Sequence, residues 1–212
     1  MKLHGYWRSS AAYRVRIALN LKAVQAGHCA VHLLNNGGEQ HSAGYQLLNP
    51  SELVPTLEDG ELSLNQSLAI IQYLEDSYPH APLYPKEPAQ KAAVMAFALD
   101  IACDIHPLNN LRVLQYLTGP LALSEAQKMQ WIKHWLAIGF NALEKRLQLT
   151  AGHYCFGDVV TVADLCLVPQ VYNALRFQLD MSDYPLISAI YQRCNELDAF
   201  QKAAPEQQPD AV

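Results

Sequence analysis

The first 80 residues alternate between short runs with apolar residues at every second position and longer runs with apolar residues every third or fourth position. The first period is typical of a strand with one buried face, and the second of an amphipathic helix. The pattern predicts strands at Lys2–Tyr6, Cys29–Leu34, Thr56–Glu58 and Glu61–Leu64, helices at Ala11–Lys22 and Gln66–Asp76, and a short helix before Asn49-Pro50. Asp59-Gly60, between the last two strands, is a strong hairpin signal.

The order of these elements, β-α-β-α-β-β-α, predicts the fold class of this first segment. Strands that are separated by helices pair in parallel through right-handed crossovers, and the hairpin adds an antiparallel edge. We therefore expect an α/β sandwich of the thioredoxin type over residues 1–80. Three prolines lie between Ser77 and Glu87, and residues 81–87 are predicted to be a linker.

Strand signals vanish after Pro88, so an all-helical second domain is predicted over residues 88–212. The expected helices run over Gln90–Tyr116, from a capping box at Ser124 to about Leu147, from a similar box at Thr161, and from Tyr184-Pro185. The Pro- and Gln-containing tail after Ala203 is expected to be loose.

The composition of the 212 residues narrows the function classes. Half of them are apolar, 17% are charged, and the net charge is −5 without a run of like charges. We expect a soluble protein that binds neither nucleic acid nor a membrane, since no apolar stretch reaches spanning length and no secretion signal is evident. The five cysteines form no Cys-x-x-Cys pair, which predicts buried free thiols, no metal site and a cytoplasmic location.

Three short motifs carry the candidate chemistry. Ser9-Ser10 directly precedes a predicted helix, where either serine is a natural N-cap and where backbone N–H groups attract a phosphate, a carboxylate or a thiolate. Val54-Pro55 precedes a strand; trans is the default for this bond, and a cis bond would turn the Val54 backbone outward to pair with a peptide. Gln66-Ser67 starts another helix and suits a carboxylate. Together the motifs fit a short anionic peptide with a thiol, and glutathione has that shape.

The chain resembles the zeta class of the glutathione transferase family over about residues 2–208. The resemblance lies in Arg8-Ser9-Ser10, Arg14–Leu19, Leu48-Asn49-Pro50, Val54–Leu57, Asn65–Leu74, Ile105–Leu111, Gly157-Asp158, Thr161–Leu165 and Arg176-Phe177. It implies the two-domain glutathione transferase fold, with a thioredoxin-like α/β domain followed by an all-helical domain, and a homodimer.

The resemblance also implies an activity. We expect a glutathione-dependent cis–trans isomerase that converts maleylacetoacetate to fumarylacetoacetate, in tyrosine and phenylalanine breakdown. Isomerisation of maleylpyruvate in the gentisate route is the near alternative, and a transferase or dehalogenase of small α-halo acids is a third. A non-enzymatic binding protein is the least expected, because every ligand-facing motif is intact.

The candidate site residues follow from the motifs and the resemblance together. Glutathione is expected to contact Ser9, Ser10, Gln40, Val54, Gln66, Ser67, His106 and Asn110. Arginine forks bind carboxylates in bidentate fashion, and the resemblance implies that Arg8 and Arg176 bind the substrate carboxylates, with Arg112 as a weaker candidate. The catalytic set is Ser9, Ser10, Arg8 and Arg176. A structural role is the alternative for His106, since a lone histidine before proline more often has one, and a solvated surface position is the alternative for the arginines.

Two further expectations concern neighbouring residues. Arg14 and Arg16 lie within the first helix and are interpreted as structural ion-pair or interface residues, and Asp164 as a buried cap. Ala11 stands where the family has a cysteine. No protein thiol can therefore act at this position, and in the mechanism that the resemblance implies the sulfur comes from glutathione.

Overall fold

The computed structural model describes all residues from 1 to 212, which divide into two compact units. The first unit comprises Met1–Pro82 together with Asn195–Val212, and the second comprises Leu83–Cys194. The sequence prediction assigned residues 195–212 to the helical domain, whereas their contacts group them with the N-terminal unit.

The first unit contains a four-stranded sheet with helices. Its elements are β1 (Lys2–Gly5), α1 (Ser10–Leu21), β2 (Gly27–Ala30), α2 (Ala43–Leu48), β3 (Thr56–Asp59), β4 (Leu62–Asn65), α3 (Ser67–Ser77) and α9 (Asp198–Ala203). The strand order is β2-β1-β3-β4, in which β1 and β2 are parallel and the other neighbours are antiparallel. The predicted fold class is confirmed.

Strand β2 begins and ends earlier than the predicted Cys29–Leu34. Gly27 already pairs with Lys2 of β1, which sets the start of the ladder. The chain then leaves the sheet at His32, whose N–H donates to the Glu39 carboxylate at 2.6 Å and whose Nδ1 accepts the Asn35 N–H at 2.9 Å. Local side-chain bonds therefore replace the strand pairing that the alternating pattern predicted.

The core of the first unit is formed by apolar residues of β1, β3, α1 and α3. Helices α1 and α3 pack against each other, and their inward positions are fully buried, including Ile17, Ile70 and Leu74. Leu3 of β1 and Leu57 of β3 are paired across the strands and are both buried in this core, which fixes the register of the two central strands. The register in turn determines which loops meet at each edge of the sheet.

The C-terminal tail is ordered, contrary to the sequence prediction. The Arg16 Nε atom donates to the Ala203 carbonyl at 2.9 Å, and the Trp7 N–H donates to the Asp210 carboxylate at 3.0 Å. Gln208 adds bonds to the backbone of Ala204 at 2.9 Å. These bonds join the end of the chain to the loop that follows β1.

The second unit is helical. Its elements are α4 (Pro88–Leu99), α5 (Leu111–Thr118), α6 (Glu125–Thr150), α7 (Val162–Arg176) and α8 (Pro185–Cys194). The capping box at Ser124 and the box formed by Thr161 and Asp164 are both present. These two helix starts therefore lie where the sequence predicted them.

The predicted continuous helix Gln90–Tyr116 is interrupted. A π-helical turn over Asp100–Ile105 follows α4, and a 3₁₀ turn over His106–Asn109 precedes α5. Pro107 has no N–H to continue the α-helical ladder. The combined run Pro88–Thr118 has the length and composition of a membrane-spanning helix, contrary to the sequence expectation, but one such helix is a weak indication because core helices meet the same criteria.

Candidate functional site

The sheet register brings three of the predicted motifs to one edge of the first unit. His4 pairs with Thr56 in an antiparallel ladder, so that Val54 falls beside Tyr6 when the register is continued. Thr56 also pairs with Asn65, which places Gln66-Ser67 at the same edge. The loop after β1, the turn before β3 and the start of α3 therefore converge.

The serine pair occupies the start of α1. Ser9 is the N-cap, and its hydroxyl oxygen accepts the Ala12 N–H at 3.2 Å; Ser10 is the first helical residue and is buried. The choice between the two serines as cap is thereby resolved in favour of Ser9. Both hydroxyls lie at the positive end of the α1 dipole, a place that favours a bound anion.

Arg8, just before the serine pair, is half-buried against aromatic rings. Its guanidinium lies 4.8 Å from the Trp7 ring centre, and its Nη2 donates to the Tyr6 hydroxyl at 3.1 Å. These contacts direct the side chain without neutralising its charge. Arg8 therefore provides a fixed cation beside the start of α1.

The turn that contains Val54-Pro55 is held by buried polar side chains. The peptide bond is cis, in contrast to the trans default. The Asn49 Nδ2 atom donates to the Leu53 carbonyl at 2.7 Å, and the Tyr45 hydroxyl donates to the same carbonyl at 2.7 Å. Burial raises the pKa of Tyr45, so its hydroxyl stays protonated as a donor. The Val54 N–H and C=O make no hydrogen bond within the chain.

Gln66-Ser67 forms an uncapped helix start. Gln66 adopts a φ of 68°, which is uncommon outside glycine, and its side chain does not cap α3. Ser67 is buried and accepts a hydrogen bond from Arg14 Nη1 at 3.2 Å. An unusual backbone conformation at a non-glycine residue is a common feature of ligand sites.

Gln40 lies in the loop between β2 and α2. It is buried, its Nε2 contacts His41 Nε2 at 2.9 Å, and its Oε1 has no partner. Gly38 makes room for it, since a Cβ on that glycine would lie 2.5 Å from the Gln40 amide. Glu39 bonds back to His32, whose ring is 4.9 Å from that of Tyr6. The loop is thus tied to the end of β2 and the loop after β1.

The remaining candidates belong to the second unit. Asn110 is the N-cap of α5, and its Oδ1 accepts the Arg112 N–H at 3.2 Å, while the Arg112 side chain is exposed. Arg176 is the last residue of α7; its guanidinium lies 4.3 Å from the Phe177 ring centre and donates to Asn173 at 2.8 Å. His106 begins the 3₁₀ turn before α5. His106, Asn110 and Arg112 lie close together in the chain, in the turn before α5 and at the start of that helix, whereas Arg176 lies at the end of α7.

The cysteines differ from the prediction that all five are buried. Cys155, Cys166 and Cys194 are buried, Cys29 is partly exposed and Cys103 is exposed. Burial raises the pKa of Cys155 and that of Cys194, so these thiols remain protonated at neutral pH. None of the five lies at the start of α1, where Ala11 occupies the family's cysteine position.

Sequence reasoning missed four residues that shape the site. Tyr45 and Asn49 hold the turn at Val54, Arg14 contacts Ser67, and Asp210 bonds the loop after β1. Asn49 carried a signal, because Asn-Pro follows a predicted helix. Arg14 and Asp210 are distant in sequence from the residues they support, and no local pattern marks Tyr45.

The amino-acid sequence is similar to those of known proteins. Two family models match, the glutathione S-transferase N-terminal domain over residues 3–82 and the glutathione S-transferase C-terminal domain over residues 136–198. A protein of Vibrio cholerae named probable maleylacetoacetate isomerase is 58% identical over 99% of this chain and 97% of its own length. The maleylpyruvate isomerase of a Ralstonia species is 47% identical, with both chains fully covered.

Solved structures of similar proteins have the same fold as this chain. A holo structure of a bacterial zeta-class maleylpyruvate isomerase superposes with a TM-score of 0.97 at 46% identity over both full chains. A maleylacetoacetate isomerase of Methylobacterium extorquens, with bound malonate and glutathione, gives 0.95 at 38% identity, again over both full chains. The resemblance to the zeta class is confirmed. The chain belongs to the glutathione S-transferase family.

Proposed function

We propose that this chain is a glutathione-dependent cis–trans isomerase of maleylacetoacetate. The observation that carries the proposal is the convergence of two helix starts and an unpaired strand-like backbone at one sheet edge. The relatives named maleylacetoacetate isomerase, one of them 58% identical, support the choice of substrate.

The residues at this edge fit glutathione. The unpaired Val54 N–H and C=O match the backbone of an extended peptide. The uncapped start of α3, with Gln66-Ser67, matches the γ-glutamyl carboxylate. The start of α1, with Ser9-Ser10, matches the thiol. Gln40, His106 and Asn110 complete the proposed contacts.

Glutathione, when bound, supplies the thiolate that adds to the cis double bond and leaves again once rotation about the resulting single bond has occurred. The chain's own residues must keep that sulfur ionised near neutral pH. The positive end of α1 and the two serine hydroxyls favour the anion over the neutral thiol. Hydroxyl donors at this place act on developing charge in the manner of an oxyanion hole.

The substrate brings two carboxylates that must stay fixed while its centre turns. Arg8 and Arg176 are proposed to bind them, with Arg112 as a further candidate. Arg8 and Arg176 each stack on an aromatic ring and donate to one neutral acceptor. Such contacts reduce the side-chain entropy lost on binding. A guanidinium carries five N–H donors, so the bond to Tyr6 leaves Arg8 able to bind a carboxylate as well.

Maleylpyruvate is the second candidate substrate. The Ralstonia relative and the zeta-class structure are named for it, at 47% and 46% identity. Both substrates share the maleyl end and differ in the length of the keto-acid end. The same serine and arginine chemistry would serve either compound.

The test follows cis-to-trans conversion of maleylacetone and maleylpyruvate by dialysed protein, with and without glutathione. We expect activity only with glutathione, and a fall of roughly 100-fold in kcat for Ser10→Ala. Ser124→Ala is the control, because Ser124 caps α6 in the second unit, and its activity should match the wild type. Equal conversion without glutathione would refute the proposal, and higher kcat/KM with maleylpyruvate would favour the second substrate.

We also propose a cytoplasmic homodimer that engages neither nucleic acid nor a membrane. The free cysteines and the net charge of −5 support the location and the absence of these partners. Light scattering tests the dimer, and fractionation of cells that express the protein tests the location. A monomer in solution or recovery in the membrane fraction would contradict the respective part.

A further inference from the structure

We infer that Arg14 is the positioning residue that supplies fixed positive charge to the anion subsite at the start of α3, acting through Ser67. This inference rests on the proposed function, because it concerns how the γ-glutamyl carboxylate of glutathione is held.

Arg14 is buried without a compensating charge. Its side chain is 2% exposed, and its one hydrogen bond runs from Nη1 to the neutral hydroxyl of Ser67 at 3.2 Å. Its Nε and Nη2 atoms are buried and have no hydrogen-bond partner, and it forms no ion pair. The expectation of a structural ion pair is therefore wrong for this residue.

Another buried cation of the same unit is treated differently by the fold. Lys22 is fully buried, and its Nζ lies 2.7 Å from the Glu75 carboxylate. It also donates to the carbonyls of Tyr78 at 2.8 Å and of His80 at 3.2 Å. The fold thus satisfies one buried cation completely and leaves the guanidinium of Arg14 mostly unsatisfied.

The guanidinium cannot escape this situation by losing its proton, because arginine stays charged in proteins. Removing an ion from water carries a large penalty that one bond to a neutral hydroxyl does not offset. A buried cation in this state indicates an anion that arrives from outside the chain. The place for that anion is set by the contact with Ser67.

The start of α3 supplies the second, independent observation. The Gln66 side chain does not cap the helix, and the first-turn N–H groups of Ser67, Leu68 and Ala69 have no acceptor within the chain. These groups and the helix dipole contribute partial positive charge. The positive end of an 11-residue helix and a buried guanidinium therefore meet at one serine.

The hydrogen-bond geometry explains how Arg14 acts. A serine hydroxyl has one hydrogen to donate and two lone pairs to accept with. Arg14 donates to the Ser67 oxygen, which leaves the hydroxyl hydrogen of Ser67 to be donated to an anion. Arg14 therefore orients the hydroxyl and strengthens its donation, and it need not touch the carboxylate itself.

The test compares two ligands by isothermal titration calorimetry, without any maleyl substrate. One is glutathione, and the other is γ-aminobutyryl-cysteinylglycine, which is the same tripeptide without the α-carboxylate. We expect the wild type to bind glutathione about 30-fold more tightly than the analogue, since a charged hydrogen bond contributes about 1.5–3 kcal/mol. In Arg14→Gln we expect this preference to fall below about 5-fold, with the affinity for the analogue changed by less than about 3-fold.

Controls separate this role from a structural one. Arg14→Lys keeps the charge and should restore part of the preference, whereas Arg146→Gln removes an exposed arginine of the second unit and should leave it at the wild-type value. Ser67→Ala leaves Arg14 in place but breaks the link, so it should lose the preference even if the Arg14 variants do not fold.

Two outcomes overturn the inference. If Arg14→Gln weakens both ligands equally, or keeps the 30-fold preference whether or not Ser67→Ala loses it, Arg14 is structural only. Failure of the proposed function gives a different result, because the wild type would then bind neither ligand.

Discussion

Asp164 of α7 allows a quantitative test of how the second unit is stabilised. Its side chain is fully buried. One carboxylate oxygen accepts the Cys155 N–H at 2.8 Å, and the other accepts the Thr161 N–H at 2.8 Å and the Thr161 hydroxyl at 3.2 Å. The carboxylate thus joins the loop before α7 to the first turn of the helix.

Alanine at this position would leave two buried backbone donors without acceptors. Each such donor costs about 1–3 kcal/mol, and the Thr161 hydroxyl can rotate to another partner. We therefore expect Asp164→Ala to lower the free energy of unfolding by about 4 kcal/mol. In a chain of this size 1 kcal/mol shifts Tm by about 2–4 °C, so the melting temperature should fall by about 8–16 °C.

Thermal unfolding followed by circular dichroism measures this shift. Asp158→Ala is a matched control, because the Asp158 carboxylate also accepts a backbone N–H, that of His153 at 2.9 Å, but is exposed. Water can replace the exposed acceptor, so the control should fall by less than about 3 °C. Equal shifts in the two variants would show that burial does not set the cost, and the reasoning would fail.

Three other predictions concern the pH dependence of stability, the role of the C-terminal tail and a buried ion pair. Burial raises the pKa of Asp164, so the folded state holds the carboxyl proton more tightly than the unfolded state does. The free energy of unfolding should therefore decline as pH rises from about 4 through the folded pKa. In urea titrations at several pH values, Asp164→Asn should lack this part of the decline. Asp210→Ala removes the acceptor of the Trp7 N–H and so loosens the loop before the serine pair. We expect kcat/KM to fall about 10-fold, equivalent to about 1.4 kcal/mol. An unchanged kcat/KM would contradict the role of the tail. Lys22→Met removes the buried ammonium that pairs with the partly buried Glu75 carboxylate and donates to the Tyr78 carbonyl. It should cost about 3–5 kcal/mol in chemical denaturation, and a loss below 1 kcal/mol would contradict this.

The parts of the fold that depend on local pattern could be predicted from the sequence. Strand β3 and helix α3 lie within one residue of their predicted ranges, because a two- or 3.6-residue period of apolar side chains sets which face is buried. The capping box at Ser124 was equally clear, since both partners lie within one turn. The serine pair at the start of α1 belongs to the same group.

Features that depend on distant partners could not be predicted. The Trp7 N–H and its acceptor Asp210 are 203 residues apart in the sequence, and Arg14 and Ser67 are 53 apart. No periodicity links such pairs, because the fold alone brings them together. The π-helical turn at Asp100–Ile105 could not be predicted either, because its composition is that of a continuing helix.

The loop that presents Arg8 and the serine pair depends on both ends of the chain. The Trp7 N–H is held by Asp210, and the Trp7 carbonyl accepts a bond from Arg16 Nη2 at 3.0 Å. Arg16 also donates to the Ala203 carbonyl, so the same peptide is fixed directly and indirectly by the C-terminal segment. A sheet edge can collect helix starts through its topology, but the precise position of hydroxyl donors against a sulfur requires such cross-bracing. The last residues of the chain are therefore part of the structure that positions the proposed thiolate site.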